Sequence, residues 1–383
     1  MTIVFFSNYI NHHQVNVAEE FYRLTGGKYY FVETTPVPEF RKKLGYPDFS
    51  SKPYVVQAWK DNKAMQFAER LCVEADVALF GGGFVLSFLV KRAKVGKLSF
   101  EVTERWLKRG WVNILSPRLL KNMWYYHTLF KYRPVYKLCS SAFGATDQYK
   151  LFSYKDRCYK WGYFTKVDGN FEVETLKQDV STSESTPLMW CARFLRLKHP
   201  ELPIKMAARL KAKGYKFTLD MYGSGEEYDN SVALAKELNV DDVVKFCGNV
   251  PNEQILEAMR HHEIFLFTSD RNEGWGAVAN ESMSNGCVLV GSDAIGSIPF
   301  LLKDGENGCI FKSCDLDSLT KKVEWLLNNP KDRYRLAING YNTMKNVWSP
   351  TNAAKNFLQL VEELKSDKDS SITDGPCSKA YPI

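Results

Sequence analysis

The chain of 383 residues lacks any apolar run able to cross a bilayer: the longest, Val77 to Val90, falls short of the about 20 residues required and is broken by Gly81, Gly82 and Gly83. No secretory leader is expected either, since MTIVFFSNYINHHQ shows no charged start and no cleavage pattern. Both absences lead us to expect a cytoplasmic protein. The nine cysteines (72, 139, 158, 191, 247, 287, 309, 314 and 377) are odd in number and include no CxxC pair and no neighbouring histidine. That pattern indicates neither a disulfide framework nor a zinc site. With a pI near 8.7 and no recognised binding module, the chain also offers little to nucleic acid. What remains is ordinary globular composition, 45% hydrophobic and 25% charged, at a length that suggests two domains.

Charge is unevenly shared. Residues 1 to 165 hold 25 Lys and Arg against 13 Asp and Glu, a net +12, and the remainder is net −5. Between Lys91 and Lys137 lie 12 basic residues with only Glu101 and Glu104 opposing them, interleaved with Trp106, Trp111, Trp124, Tyr125, Tyr126, Phe130, Tyr132 and Tyr136. Basic and aromatic residues together suit a surface that meets anionic lipid head groups, and equally a solvated helix face with an aromatic underside.

Strand-like and helix-like segments alternate in both halves. TIVFFS, KYYFVET, VALFGG, LSFEVT, VYKLCSS and CYKWGYF mark strands in the first, and LMWCAR, KFTLDMYG, VVKFCG, EIFLFTS, CVLVGS and GCIF in the second. Such alternation predicts parallel sheets with helices on both faces, hence α/β architecture with two doubly wound Rossmann-like domains. We place an N-terminal domain at 1–165, a polar Ser/Thr-rich linker at 166–186, a C-terminal domain at 187–347, a C-terminal helix at 348–366 and a mobile tail at 367–383.

In open parallel sheets ligands bind beyond the carboxyl ends of strands. The loops expected there hold suitable groups. After LMWCAR come Arg193 and Lys198, cations able to hold a diphosphate or simply solvated. After KFTLDMYG come Gly223, Ser224 and Gly225, which permit close backbone approach, and after VVKF come Cys247, Gly248, Asn249 and Val250, able to hold a flat base through backbone groups. The richest stretch is FTSDRNEGWGAVANESMSNGCVLVGSD, with Glu273 and Glu281 eight positions apart around Gly274, Trp275, Gly276 and Ala277. A helix expected over Ala277 to Asn285 would turn its positive end to an anion, and Glu281, two turns further on, can accept two hydrogen bonds from a vicinal diol. Phosphate and sugar hydroxyls together suggest a nucleotide sugar. Asp315-Leu316-Asp317 has the spacing of a metal-binding pair but directly precedes an amphipathic stretch, where it reads as a helix N-cap.

In this combination, with Asp304-Gly305-Glu306-Asn307-Gly308 following, residues 187 to 345 resemble the C-terminal domain of family 4 glycosyltransferases of the GT-B fold. Asn11-His12-His13-Gln14, Glu104-Arg105-Trp106 and Lys160-Trp161-Gly162-Tyr163-Phe164 resemble a bacterial subgroup that makes surface polysaccharides, and VWSPTNAAKNFLQLVEEL resembles the helix that crosses back to the first domain. The resemblance implies two Rossmann-like domains facing across a cleft, with a nucleotide diphosphate sugar held by the second and a glycan or polyprenyl-diphosphate-linked saccharide acceptor by the first. It implies that Glu273 binds the donor sugar with the backbone of Gly274 to Ala277, that Glu281 binds the ribose, and that Arg193 and Lys198 stabilise the diphosphate without a metal or other cofactor. Reaction would retain the anomeric configuration. His12 and His13 would face the cleft, one touching the phosphate or the acceptor hydroxyl; alternatively Asn11 caps the following helix and one histidine packs. Glu101 and Glu104 are acceptor-side candidates, or partners of Arg105 and Lys108. A sugar-nucleotide 2-epimerase and a non-catalytic nucleotide-sugar-binding protein are the rival readings on the same fold.

Overall fold

Strand-forming runs rich in Val, Ile, Phe and Leu become two sheets in the computed structural model, which describes residues 1–39, 47–82, 85–181 and 185–383. The chain divides into two compact units, Met1–Thr165 with Trp348–Ile383, and Lys166–Val347. Gly83 of the glycine run and residues 182–184 of the expected linker lie outside the described residues.

The first unit is built on β1 (Ile3–Ser7), β2 (Tyr29–Glu33), β3 (Val55–Gln57), β4 (Val77–Gly81), β5 (Ser99–Thr103), β6 (Val135–Cys139) and β7 (Cys158–Lys160), in the order β3-β2-β1-β4-β5-β6-β7. Every pairing is parallel. β1 is buried at all five positions because both of its faces are covered, the behaviour of a central parallel strand. Phe6 stacks between Phe80 at 5.3 Å and Phe88 at 4.7 Å, whereas Phe5 meets Phe31 at 5.3 Å. The helix Pro350–Lys365 belongs to this unit, where Phe357 inserts among Phe21, Phe100 and Trp161 with ring centroids 5.0 to 5.9 Å away.

The second unit contains β8 (Thr186–Cys191), β9 (Phe217–Tyr222), β10 (Val244–Gly248), β11 (Ile264–Phe267), β12 (Val288–Ser292) and β13 (Cys309–Phe311), in the order β10-β9-β8-β11-β12-β13. It too is parallel throughout. Alternate residues Leu188, Trp190, Leu219, Met221, Ile264 and Leu266 face a core shared with Ile204, Leu210, Val323 and Leu326 of the helices Glu201–Ala212 and Leu316–Asn328. In both sheets winding reverses beside the first strand, between β1 and β4 and between β8 and β11, and such a reversal opens a crevice at the carboxyl edge.

Two expectations need correction. Within 166–186 the structure forms a helix, Val173–Ser181, that is part of the second unit. Val173 is buried and the Lys177 ammonium enters the interior to donate to the carbonyls of Met259, Arg260 and His262, closing the end of the helix Asn252–Arg260. The segment 367–383, expected to be a mobile tail, packs on the first unit: Cys377 is fully buried, and Lys379 bridges antiparallel to Tyr159 on β7. Low apolar content misled the reading, because this segment is held by backbone hydrogen bonds to a sheet edge more than by a core of its own.

Candidate functional site

The carboxyl edge at the β8/β11 reversal gathers most of the sequence candidates. β8 ends at Cys191, and a short turn brings Lys198 beneath the loop that leaves β11 at Phe267. The Lys198 ammonium pairs directly with the Glu273 carboxylate, and both side chains are only 14% exposed, which separates this pair from a solvated surface contact. Ser269 Oγ donates to the same carboxylate at 3.0 Å, and Lys198 lies 5.9 Å over the Phe267 ring. Thr268 ties the two loops: its hydroxyl donates to the Lys198 carbonyl at 2.7 Å and accepts from Trp190 Nε1 at 2.9 Å. Arg193 is exposed and, among the described residues, has no ion pair or hydrogen bond to its side chain. A fixed Lys–Glu pair and a free guanidinium therefore share one crevice edge.

Glu281 lies on the helix Val278–Ser284, close to the expected limits. Burial of its carboxyl pushes the pKa up to about 7, and a hydrogen bond from Asn252 opposes the shift. Cys191 lies within electrostatic reach of Glu281 and Lys198; burial first, then the Glu281 charge, pushes its thiol up to about 12.

The glycines act mainly on the protein itself. Gly223, at φ 125°, lies so close to the Ala192 carbonyl oxygen that an added Cβ would stand 2.0 Å from it, and at Gly225 the Phe194 oxygen would be 2.4 Å away. Phe194 N donates to Ser224 O at 2.9 Å and Gly223 N to Gly248 O at 2.7 Å, so three successive loops are laced together. The close approach read from the sequence is thus met by neighbouring backbone. Gly248 has open space around it, and Asn249 beyond it is exposed while Val250 is half-buried. At Gly276, φ 73°, an added Cβ would stand 2.2 Å from the Phe267 ring.

The Trp275 side chain turns away from the loop surface. It is fully buried, with Nε1 donating to Asn280 Oδ1 at 2.7 Å, because the left-handed turn at Gly276 directs it into the unit. Its indole packs inside the unit, and the part expected to meet the donor is the backbone of Gly274 to Ala277. Gly274 is likewise buried, its carbonyl accepting from Gly296 N at 3.1 Å, while Ala277 stays half-buried at the helix entrance. Asp315 caps the helix Leu316–Asn328 by accepting from Ser318 N at 2.9 Å, and Asp317 pairs with Arg209.

In the first unit, the loop after β1 carries His12 and His13 in mutual contact, ring centroids 3.7 Å apart. His13 stacks on Tyr163 at 5.3 Å, and Tyr163 donates to Glu104 at 2.8 Å. Burial, and secondarily His12, pull the His13 imidazole down to about 3, so it is neutral, and its Nδ1 is buried without a hydrogen-bond partner. Asn11 does not cap the helix, which begins at Val15; its side chain accepts from His13 N at 3.0 Å and shapes the loop instead. Buried Glu33 holds the loop start through Ile10 N at 3.1 Å. Glu101 forms a buried pair with Lys137 at 2.9 Å, while Glu104 reaches Lys108 at 3.7 Å. Glu101 is therefore structural.

Ser269, Thr268, Asn252 and Glu33 escaped the sequence reading. Ser269 and Thr268 end a strand run already singled out, so their place on the crevice edge was the available signal; the partners of Asn252 and Glu33 lie in distant segments.

Two Rossmann-like units of this winding are the architecture of GT-B glycosyltransferases. The structure matches HepE of Anabaena in complex with UDP, with a TM-score of 0.67 at 15% identity over 96% of this chain and 100% of that one. It also matches the lipopolysaccharide outer core galactosyltransferase WaaB, at TM-score 0.70 and 15% identity over 95% of this chain and all of the other. More particularly, residues 174–343, wholly within the second unit, match the family described as Glycosyl transferases group 1. In sequence it is similar to the lipopolysaccharide core biosynthesis glycosyltransferase LpsE of Rhizobium meliloti, 28% identical over 52% of this chain and 56% of the relative. It is 24% identical to a glycosyltransferase of Haemophilus influenzae over 44% of this chain and 49% of the relative. The matched stretches thus span about half the length of these relatives. Among the described residues no helix is long and apolar enough to cross a membrane.

Proposed function

We propose that the protein is a retaining glycosyltransferase of family 4 that moves a hexose-type sugar from a nucleotide diphosphate sugar to a glycan or lipid-linked saccharide in surface polysaccharide synthesis. The observation that carries this reading is the Lys198–Glu273 pair beside unpartnered Arg193 at the crevice of the second sheet. Lys198 and Arg193 hold the diphosphate, where charge grows as the bond from the anomeric carbon to the phosphate oxygen breaks and its electron pair goes to the leaving group. These cations do there what a divalent metal does in other transferases, and activity should survive chelation. Glu273, relieved of part of its contact with Lys198, accepts from the sugar hydroxyls. Glu281 accepts from the ribose, and Gly223, Ser224 and the loop Gly248 to Val250 lie along the nucleotide. The acceptor oxygen bonds the same face of the anomeric carbon and its proton passes to a donor phosphate oxygen. His13, neutral and stacked on Tyr163, lines the acceptor side with His12. HepE is seen with UDP and with UDP-glucose, which makes uridine diphosphate sugars the first donors to try.

A membrane-borne acceptor fits the first unit. Trp111, Val112, Leu115, Leu120 and Trp124 are each at least half exposed on the stretch Gly110–Thr128, beside exposed Arg109, Arg118, Lys121, Lys131 and Arg133. Apolar side chains ringed by cations suit an anionic lipid surface on the inner face of the membrane. Sedimentation with vesicles should be strong with anionic lipid and weaken in high salt; equal partitioning in all conditions would remove the membrane from the proposal.

The main test is transfer of labelled sugar from a panel of nucleotide sugars, with and without saccharide acceptors. A new glycosidic bond of unchanged anomeric configuration is expected. A sugar altered at C2, still on its nucleotide or released from it by water, formed without acceptor would make the protein an epimerase, and donor binding without any product would make it a binding protein.

A further inference from the structure

Lys198 and Glu273 come from different loops, which Thr268 and a second side chain, His199, tie together. His199 follows Lys198 and stands in the left-handed region at φ 51°, its N–H bonded to Arg196 O at 3.3 Å and its carbonyl accepting from Leu202 N at 3.1 Å. This setting places the ring between two carboxylates. Nδ1 lies 2.8 Å from Glu201 Oε1 at the start of the helix Glu201–Ala212, and Nε2 lies 3.4 Å from Asp270 Oδ2 in the Glu273 loop. Ionised carboxylates only accept hydrogen bonds, so a ring that satisfies both carries a proton on each nitrogen. Asp270 in turn orders its loop: Oδ1 accepts from Asn272 N at 2.7 Å, its carbonyl accepts from Glu273 N at 3.0 Å, and its own N–H reaches Leu197 O at 3.0 Å.

We infer that His199, as an imidazolium held between Glu201 and Asp270, is a positioning residue that fixes the Glu273 loop against the Lys198 turn. Its consequence for catalysis rests on the donor site proposed above; its physical part needs no substrate. The groups facing the ring are Glu201, Asp270 and Cys314, whose Sγ is 3.5 Å from Nε2; Lys198 precedes it in the chain and Lys205 acts on Glu201. The bond with Glu201 leads the causes that hold the imidazole above its ordinary 6.5, with burial opposing and Asp270 adding to the rise. Loss of one proton leaves a single N–H for two carboxylates. The shorter contact with Glu201 keeps it, the tie to Asp270 is released, and the Glu273 loop loosens as pH rises.

The test uses the full chain without ligand: histidine NMR titration combined with hydrogen exchange of the Asn272 and Glu273 amides. His199 should titrate above 6.5, and lower in Asp270→Asn. Protection of the two amides should fall about fivefold as His199 loses its proton, through local opening of the loop. That step should be absent in His199→Gln, where protection is low at every pH. In Glu201→Gln, which leaves the ring in place, titration and protection step should move together to lower pH. A titration at or below 6.5, or a protection profile unchanged by either substitution, overturns the inference. In parallel, UDP-glucose affinity should fall as pH rises through the His199 midpoint in the wild type, and His199→Gln should lose that fall while keeping the opposite dependence that Glu281 imposes. A profile in which His199→Gln tracks the wild type overturns the positioning role, whereas no binding at any pH counts against the donor reading alone and leaves the exchange result to decide.

Discussion

Glu273 and Glu281 share a functional group but not an environment, and their variants should therefore differ. Glu273 is held by Lys198 and Ser269, beside the place where the donor's charge develops. Glu273→Gln keeps the shape and removes the charge, and should lower kcat by about a hundredfold with little change in KM, the pattern of an interaction made in the transition state. Glu281→Gln should instead weaken donor affinity by about tenfold, the value of one charge-assisted hydrogen bond. Steady-state kinetics separate the two. Glu281 also sets a pH dependence, since burial raises its pKa to about 7. Below that value the carboxyl carries a proton, so donor affinity should fall as pH falls through 7, and this step should vanish in Glu281→Gln. For stability the sign is opposite. Between about 4.5, the ordinary value, and about 7 the folded chain binds a proton that the unfolded chain does not, so this residue's contribution declines as pH rises. At pH 8 Glu281→Gln should be more stable than the wild type by about 1 to 2 kcal/mol once partial solvent access is discounted, read by urea denaturation. The sequence disclosed where both glutamates lie along the chain; it could not disclose Trp275, whose direction depends on the Phe267 ring packed against Gly276.

At the scale of elements, the strands were legible because a strand buried on both faces is an uninterrupted apolar run, as in β1, β4 and β11. Strand order was not, since parallel neighbours are joined by crossovers and no local signal says on which side of β8 the chain will lay β11. The helix Val173–Ser181 hid for a related reason: its anchor is Lys177, a residue type that reads as solvated until three distant carbonyls are found to receive it. The loops at the carboxyl edge act as one element. Gly223 lies against Ala192, next to Arg193, so a side chain there pushes on the turn that leads to Lys198. Gly223→Ala should cost at least about 2 kcal/mol, from contact with a backbone oxygen that cannot move aside and from an unfavourable φ. Gly248→Ala, with space around it, should cost only about 1 kcal/mol from its positive φ. Urea denaturation of both variants, with donor affinity alongside, checks this. Equal costs would mean the loops give way independently.

At the scale of the whole molecule, the last residues complete the first unit's sheet. β7 is an edge strand of three residues, and an uncovered edge invites pairing with another chain. The terminal segment covers it: Lys160 N donates to Ser378 O at 2.8 Å, Cys377 N to Lys160 O at 2.7 Å and Ala380 N to Cys158 O at 3.0 Å. Lys379 spans the Tyr159 ring at 4.9 Å and pairs with Asp369 at 2.6 Å, and Ile383 exchanges two hydrogen bonds with Thr146, at 2.9 and 3.1 Å. Removing residues 375–383 therefore exposes the edge and the cavity left by buried Cys377. The loss should be about 2 to 4 kcal/mol, from several backbone hydrogen bonds and one buried side chain. For a unit of this size it corresponds to a fall in melting temperature of about 5 to 10 °C. Hydrogen exchange should locate the loss in β6 and β7 and leave the sheet of the second unit protected, so UDP-glucose binding should persist in the truncated chain. Light scattering should show the truncated chain associating where the full chain does not, because its new edge is free to pair. A truncated chain that melts normally and stays unassociated would mean that β7 needs no cover.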